Sequence, residues 1–133
     1  MYTFKTSVKL HDTDTAGFLF FAHQFKIAHD AYEDFMEAVG LGFGRIINAS
    51  DFLLPIVHAE ADYKAVLGVG DKLSVQLRAE KIGKTSFTLA YNLVGLDGSS
   101  AGKVKTVHVC VDNIKKKKIP LPEKLRKALE TIA

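Results

Sequence analysis

The strongest constraint on the fold is a change of period along the chain. Phe25, Ala28, Tyr32, Phe35 and Val39 recur at spacings of three and four, with Lys26, Asp30, Asp34 and Glu37 on the other side. That spacing predicts one amphipathic helix from about Ala22 to Val39, stopped at Gly40. From Phe52 onward the period is two. Val57, Ala59, Ala61, Tyr63 and Ala65 alternate with polar residues, as do Leu73, Val75, Leu77 and Ala79. Phe87, Leu89, Tyr91 and Leu93 follow, then Val107, Val109 and Val111. Tyr2, Phe4, Val8 and Leu10 share one strand parity near the N-terminus, and Glu123 to Ile132 reads as a short helix after Pro120 and Pro122. Hairpin-length connections between the four later strands predict an antiparallel sheet. The small Ala59, Ala61 and Ala65 leave room for the helix against it. The expected fold class is α+β, one long helix on a curved antiparallel sheet of about five strands, in a single domain over residues 1–133.

A chain of 133 residues that is 47% apolar and 25% charged can bury a core without disulfide or metal staples. One cysteine, Cys110, cannot form an intrachain disulfide, which fits a reducing compartment. It has no activating neighbour in sequence and reads as a buried, inert thiol. No apolar stretch resembles a signal peptide or a membrane span, so a cytoplasmic protein is expected. The net charge is +3, and Lys115 to Lys118 supply much of it. With no aromatic platform beside them, these lysines read as a solvated turn, and neither a nucleic-acid nor a membrane partner is expected. Gly40 to Asp51 holds three alternating glycines that fit no phosphate-binding pattern and reads as a connection.

The segment that carries chemistry is His11-Asp12-Thr13-Asp14-Thr15-Ala16-Gly17. Asp12 and Asp14 continue the apolar parity of the first strand, so both carboxylates would face the core if the strand persisted. That arrangement is costly unless they are paired or used. Gly17 allows a sharp turn, and Phe18-Leu19-Phe20-Phe21 then leads into the helix. A carboxylate beside a helix N-terminus and an apolar lining suits hydrolysis of an ester or thioester, because backbone N–H groups there can polarise a carbonyl. Asp14 could instead be a turn or capping aspartate. His29 and Glu33 read as flank residues of the helix. His58 and His108 fall on the polar parity of two strands, where a structural or surface role is the simpler reading. No metal-ligand spacing and no G-x-S-x-G nucleophile elbow is present.

The order of elements, with Asp12-Thr13-Asp14-Thr15-Ala16-Gly17 before the helix, resembles the hotdog-fold thioesterases of the 4-hydroxybenzoyl-CoA thioesterase type. Further pieces resemble their 1,4-dihydroxy-2-naphthoyl-CoA branch, which serves phylloquinone and menaquinone synthesis. These are Gln24-Phe25, His29 with Ala31-Tyr32-Glu33, Asp51-Phe52, Leu54-Pro55, Val57-His58-Ala59, His108-Val109-Cys110 and Pro120-Leu121-Pro122. The resemblance implies an acyl-CoA thioesterase without metal or other cofactor, with Asp14 as base or nucleophile. It implies that the backbone N–H groups of Phe21, Ala22 and His23 hold the carbonyl oxygen. Phe18, Phe20, His58 and His108 would contact the acyl group, and Lys84, with Lys81 second, the CoA phosphates. It also implies a homodimer or homotetramer with the site shared between subunits. Where relatives often carry a tyrosine or histidine, this chain has Phe20-Phe21-Ala22-His23. An aliphatic or other aryl acyl-CoA thioesterase, or a non-catalytic acyl-CoA or acyl-carrier binding module, is the alternative.

Overall fold

A computed structural model of the chain describes residues 1–49 and 51–133. The first strand, β1 (Tyr2–Ser7), is followed by a 3-10 turn at Leu10–Asp12 and the long helix α1 (His23–Ala38). A short helix α2 (Phe43–Ala49) precedes strands β2 (Phe52–Leu53), β3 (Ile56–Tyr63), β4 (Lys72–Ile82), β5 (Ser86–Gly95), β6 (Ser100–Val109) and β7 (Val111–Asp112), and the helix α3 (Glu123–Glu130). Five strands form one sheet in the order β1-β4-β5-β6-β3, and β2 pairs with β7 apart from it. Every pairing is antiparallel.

The expected α+β architecture is therefore present. α1 buries Ile27, Ala28, Ala31, Tyr32, Phe35 and Met36, a stripe wider than the sequence pattern alone marks out. It lies against Val75, Leu77, Phe87, Leu89 and Leu93 of the sheet, all but inaccessible to solvent. Each such apolar side chain contributes about 1.5–3 kcal/mol on burial. Leu125, Leu129 and Ile132 close the other flank, where the Ile132 carbonyl accepts the Ala79 N–H at 2.9 Å. Gly40 ends α1 at φ +79°, a left-handed conformation that favours glycine.

Several expectations change. β1 stops at Ser7, so Leu10 is 76% exposed instead of facing the core. The 3-10 turn then separates the two acids: Asp12 is buried and Asp14 exposed. The expected connection after Gly40 contains α2, because Ile46 is buried and Phe43 packs edge-on against Tyr32 with ring centroids 5.1 Å apart. Ser50, at the end of that connection, lies outside the described residues. β3 does not form a hairpin with β4. It pairs with β6 at the far edge, and residues 64–71 cross the end of the sheet. The crossover finds its partners in the acidic loop: the Leu67 carbonyl accepts the Leu19 N–H at 2.7 Å, and the Gly17 carbonyl accepts the Val69 N–H at 3.0 Å. Ala59 and Ala61 do face α1, whereas Ala65 lies in the crossover.

One buried side chain fixes where α1 begins. The Gln24 amide donates to the carbonyls of Asp62 at 3.0 Å and Lys103 at 3.3 Å, tying the first turn to β3 and β6. Gly102 makes the space for it. A Cβ there would stand 2.7 Å from the Gln24 amide and 2.9 Å from the Asp62 carbonyl oxygen. Gly102→Ala is expected to destabilise the protein by about 1–3 kcal/mol. The effect reads out as a lower urea midpoint at unchanged m-value.

Candidate active site

The acidic loop is a tight antiparallel excursion closed by the Thr13–Leu19 bridge. Several of its polar groups are satisfied within it. The Asp14 N–H donates to the Phe18 carbonyl at 2.8 Å, and the Gly17 N–H to the Asp14 carbonyl at 3.1 Å. Gly17, at φ +82°, makes the reversal. Asp14 Oδ1 accepts the N–H groups of Ala16 at 2.9 Å and Phe18 at 3.2 Å. The turn-aspartate reading is thus correct for one oxygen. The other, Oδ2, has no partner among the described residues and stands on an exposed residue, so one carboxylate both holds the loop and presents a free oxygen.

Asp12 anchors the loop from beneath. Its Oδ2 accepts the Lys9 N–H at 2.9 Å, and its Oδ1 lies 3.5 Å from Lys26 Nζ and 3.7 Å from His11 Nε2. Burial pulls the Lys26 ammonium down, but its hydrogen bond to Asp30, with Asp12 nearby, leaves it raised overall. The Asp12 carbonyl accepts the Phe20 N–H at 2.9 Å, which fastens the start of the loop to the residues just before α1.

Those residues leave donors unspent. The His23 N–H is taken by the Phe20 carbonyl at 2.8 Å, so it does not belong to the expected set of three. Among the described residues, the N–H groups of Phe21 and Ala22 have no acceptor. Ala22, the N-cap, offers no side-chain oxygen, and the first turn carries no acid. The N-terminal end of α1, with its partial positive charge, is thus open to an oxyanion. Tyr63 contributes a constraint that the sequence pattern hid: its hydroxyl donates to the Phe21 carbonyl at 2.8 Å. The aromatic residues at this rim are not core. Phe18, Phe20 and Phe21 are 49%, 40% and 64% exposed.

Beyond the first turn, a half-open cleft of about 310 Å³ lies between α1 and the sheet. Phe25, Lys26 and His29 line it from the helix, and Ile56, Ala59, Tyr91 and Thr106 from the sheet. Beneath it the Tyr91 hydroxyl, Thr106 Oγ1 and His108 Nε2 form a chain of hydrogen bonds at 3.0 and 2.8 Å. A larger concavity, about 460 Å³, lies on the opposite face of the sheet among Glu60, Asp62, Arg78, Glu80, Lys103 and Lys105. It has no connection to the acidic loop.

The remaining candidates separate. His108 faces α1, not the polar side: it is fully buried, stacked on Phe87 and tilted against Tyr32, each at 4.7 Å. Valines on both faces of β6 conceal which side is the core, and Thr106 supplies the polar partner that makes burial of the ring tolerable. His58 is on the outer face, paired with Glu60 at 3.1 Å, so one protomer does not bring it to the loop. Lys81 and Lys84 are exposed at the β4–β5 hairpin, whose Ser86 pairs with Val109, whereas α1 begins beside Lys103. Six residues of strand put about 20 Å between those two ends. Lys115 to Lys118 form an exposed turn over Asp112, whose carboxylate accepts three backbone N–H groups and is held below its ordinary range by them. Cys110 is buried, and burial pushes its thiol up, away from nucleophilic chemistry.

Residues 8–129 match the thioesterase-like superfamily. The chain belongs to that family. It is 33% identical over 133 residues to the 1,4-dihydroxy-2-naphthoyl-CoA hydrolase of Synechococcus elongatus, covering 99% of this chain and 97% of the relative. It is 35% identical to the hydrolase of the same name from Nostoc punctiforme, over 98% and 87% of the two chains. The crystal structure of a 1,4-dihydroxy-2-naphthoyl-CoA thioesterase from Synechocystis superposes with a TM-score of 0.91 at 32% identity, covering 96% of this chain and 94% of that one. The helix-on-sheet architecture is the hotdog fold of these thioesterases. Among the described residues, no helix is long and apolar enough to cross a membrane.

Burial holds the His108 pKa down, at about 4, helped by His29; the Leu54 carbonyl opposes this without forming a hydrogen bond of normal geometry. In the unfolded chain the ring titrates near 6.5. Between those values the unfolded state binds the extra proton, so stability is full above pH 6.5 and falls as pH drops towards 4. The loss linked to this ring is expected to reach at most about 3 kcal/mol. Urea titrations of the protein and of His108→Gln at pH 7 and pH 4.5 check it: the variant's stability should depend less on pH.

Proposed function

We propose that the protein is an acyl-CoA thioesterase that hydrolyses 1,4-dihydroxy-2-naphthoyl-CoA to the free acid and CoA. The observation that carries the reaction type is the pairing of a half-committed carboxylate with unspent helix-end donors. Asp14 Oδ1 is locked by the Ala16 and Phe18 N–H groups, while Oδ2 is free to attack the thioester carbonyl or to activate a water. The N–H groups of Phe21 and Ala22 are the donors for the carbonyl oxygen as it gains charge. A thioester needs little more, since thiolate is a good leaving group. The names of the relatives, with similarity over almost the whole chain, support the acyl group.

The site is shared in a homodimer. β3 is an edge strand whose residues, Ala61 apart, are exposed, with Ile56 at 43%, Val57 at 60% and Tyr63 at 52%. Such an edge invites a second strand. Antiparallel pairing of two copies across β3 reverses the partner sheet. It would bring the partner's β4–β5 hairpin, with its Lys84, towards the helix start of the first protomer. This accounts for a phosphate-binding lysine that each chain carries at the far end of the sheet from its own helix start. Light scattering is expected to give the mass of two or four chains; a monomer would overturn the shared site.

The reaction is tested by CoA release from 1,4-dihydroxy-2-naphthoyl-, 4-hydroxybenzoyl-, benzoyl- and aliphatic acyl-CoA. The naphthoyl thioester is expected to turn over best. Asp14→Asn keeps an Oδ1 acceptor for the Ala16 and Phe18 N–H groups, so the loop stays folded, yet kcat should fall at least about a hundredfold. Tight binding without turnover by the unsubstituted protein would mark a binding module instead.

A further inference from the structure

The open edge of β3 constrains how a second copy of the chain can join it. Just past the strand, the Lys64 N–H is donated to the Ala101 carbonyl of β6 at 3.0 Å. Alternation along an antiparallel pair then gives the even-numbered residues of β3 to β6. The N–H and C=O groups of Ala59, Ala61 and Tyr63 are left to the open edge. The side chains alternate too. His58, Glu60 and Asp62 form one row on the outer face, whereas Ala59 and Ala61 face α1.

Two copies paired antiparallel along this edge are related by a two-fold axis, and both alternations must match across it. The axis therefore passes through a residue of β3, not between two. An axis at Glu60 sets that carboxylate opposite itself, and one at Ala61 sets Glu60 opposite Asp62 twice; like charges directly opposite are unfavourable. An axis at Asp62 shrinks the overlap of the two strands to residues 61–63. One at His58 shrinks it to 56–60 and sets Ala61 against Pro55, which has no N–H to give. An axis at Ala59 avoids both faults. It overlaps residues 56–62 and sets His58 opposite Glu60 of the partner subunit. Within one chain His58 Nε2 already lies 3.1 Å from Glu60 Oε1, so each imidazole comes to stand between two carboxylates.

Resting on the shared-dimer reading above, we propose that two copies of the chain join through β3 with the two-fold axis at Ala59, and that His58 and Glu60 of both chains form the quartet that fixes this register. Tyr63, whose hydroxyl holds the Phe21 carbonyl, then stands opposite Pro55 of the partner subunit. The segment leading into the partner's β3 borders the helix start, beside the N–H groups of Phe21 and Ala22. Moving the axis by one residue would displace that border by two, about 7 Å.

Two measurements test this. Single cysteine substitutions at residues 58 to 61 are oxidised mildly and the rate of cross-linked dimer is followed; the buried Cys110 does not compete. Ala59→Cys should cross-link fastest, because Cα atoms facing each other across the axis are about 5.5 Å apart, within disulfide reach. Sedimentation on dilution then reads the quartet. His58→Glu sets carboxylate against carboxylate twice and should raise the dimer dissociation constant about tenfold. Adding Glu60→Lys reverses the pair and should restore the dimer, whereas with the axis at Glu60 it would set lysine against lysine. Fastest cross-linking at any of the other three positions overturns the register. A double variant as weak as His58→Glu overturns the quartet. Either result leaves the dimer and the hydrolase reading intact; an unsubstituted protein that is monomeric at every concentration overturns the dimer and the register together.

Discussion

The site depends on how the first turn of α1 is held to the sheet. A buried amide is costly unless its donors are used, and Gln24 uses them on two strand carbonyls contributed by different strands. That double anchorage is possible because residue 102 has no side chain. Tyr63 adds a second strap to the Phe21 carbonyl. Together they fix the position and direction of the helix end, while the N–H groups of Phe21 and Ala22 stay outside the helix's own bonding. A helix end free to rotate would lose its aim at a ligand; this one is clamped by the sheet it lies on.

The acidic loop is built on a similar economy. Several of its polar groups bond to a neighbour within a few residues and others reach Leu67 and Val69, and Asp14 takes part with one oxygen only. The buried Asp12 carries the structural load below, through Lys9, Lys26 and the Phe20 N–H. Two carboxylates two residues apart thus have opposite environments, one enclosed and one presented. The 3-10 turn at Leu10–Asp12 separates them, since a continued strand would have pointed both to the same side.

What could be read from sequence, and what could not, divides along physical lines. The long helix and the main strands were legible because each has one buried face, and periodicity records that face. The partner of a strand is not recorded in its own period, so the β3 crossover escaped notice. β6 misled because Val104 faces inward and Val107 outward, and the inward row also carries Thr106 and His108. A polar pair that satisfies itself reads as a surface pattern. For the site, the motif located the loop and the donors at the helix start. The spent His23 N–H, the outward His58 and the distance of Lys84 from the loop depend on hydrogen bonding and topology that only the folded chain displays. Tyr63 was visible as a residue, but not as a strap on the helix start.

The crossover from β3 to β4 also bears on the order in which the protein can assemble. The loop around Asp14 is closed by backbone bonds to Leu67 and Val69, some fifty residues further along the chain. Contacts of that separation form only after the entropy of closing a long loop has been overcome. β1 and α1 can emerge and take shape early, yet the loop that carries Asp14 is not tied to the end of the sheet until the crossover has joined it. A partly made or partly unfolded chain therefore holds both acids and the helix in local order without the bonds that fix the loop to the rest of the fold.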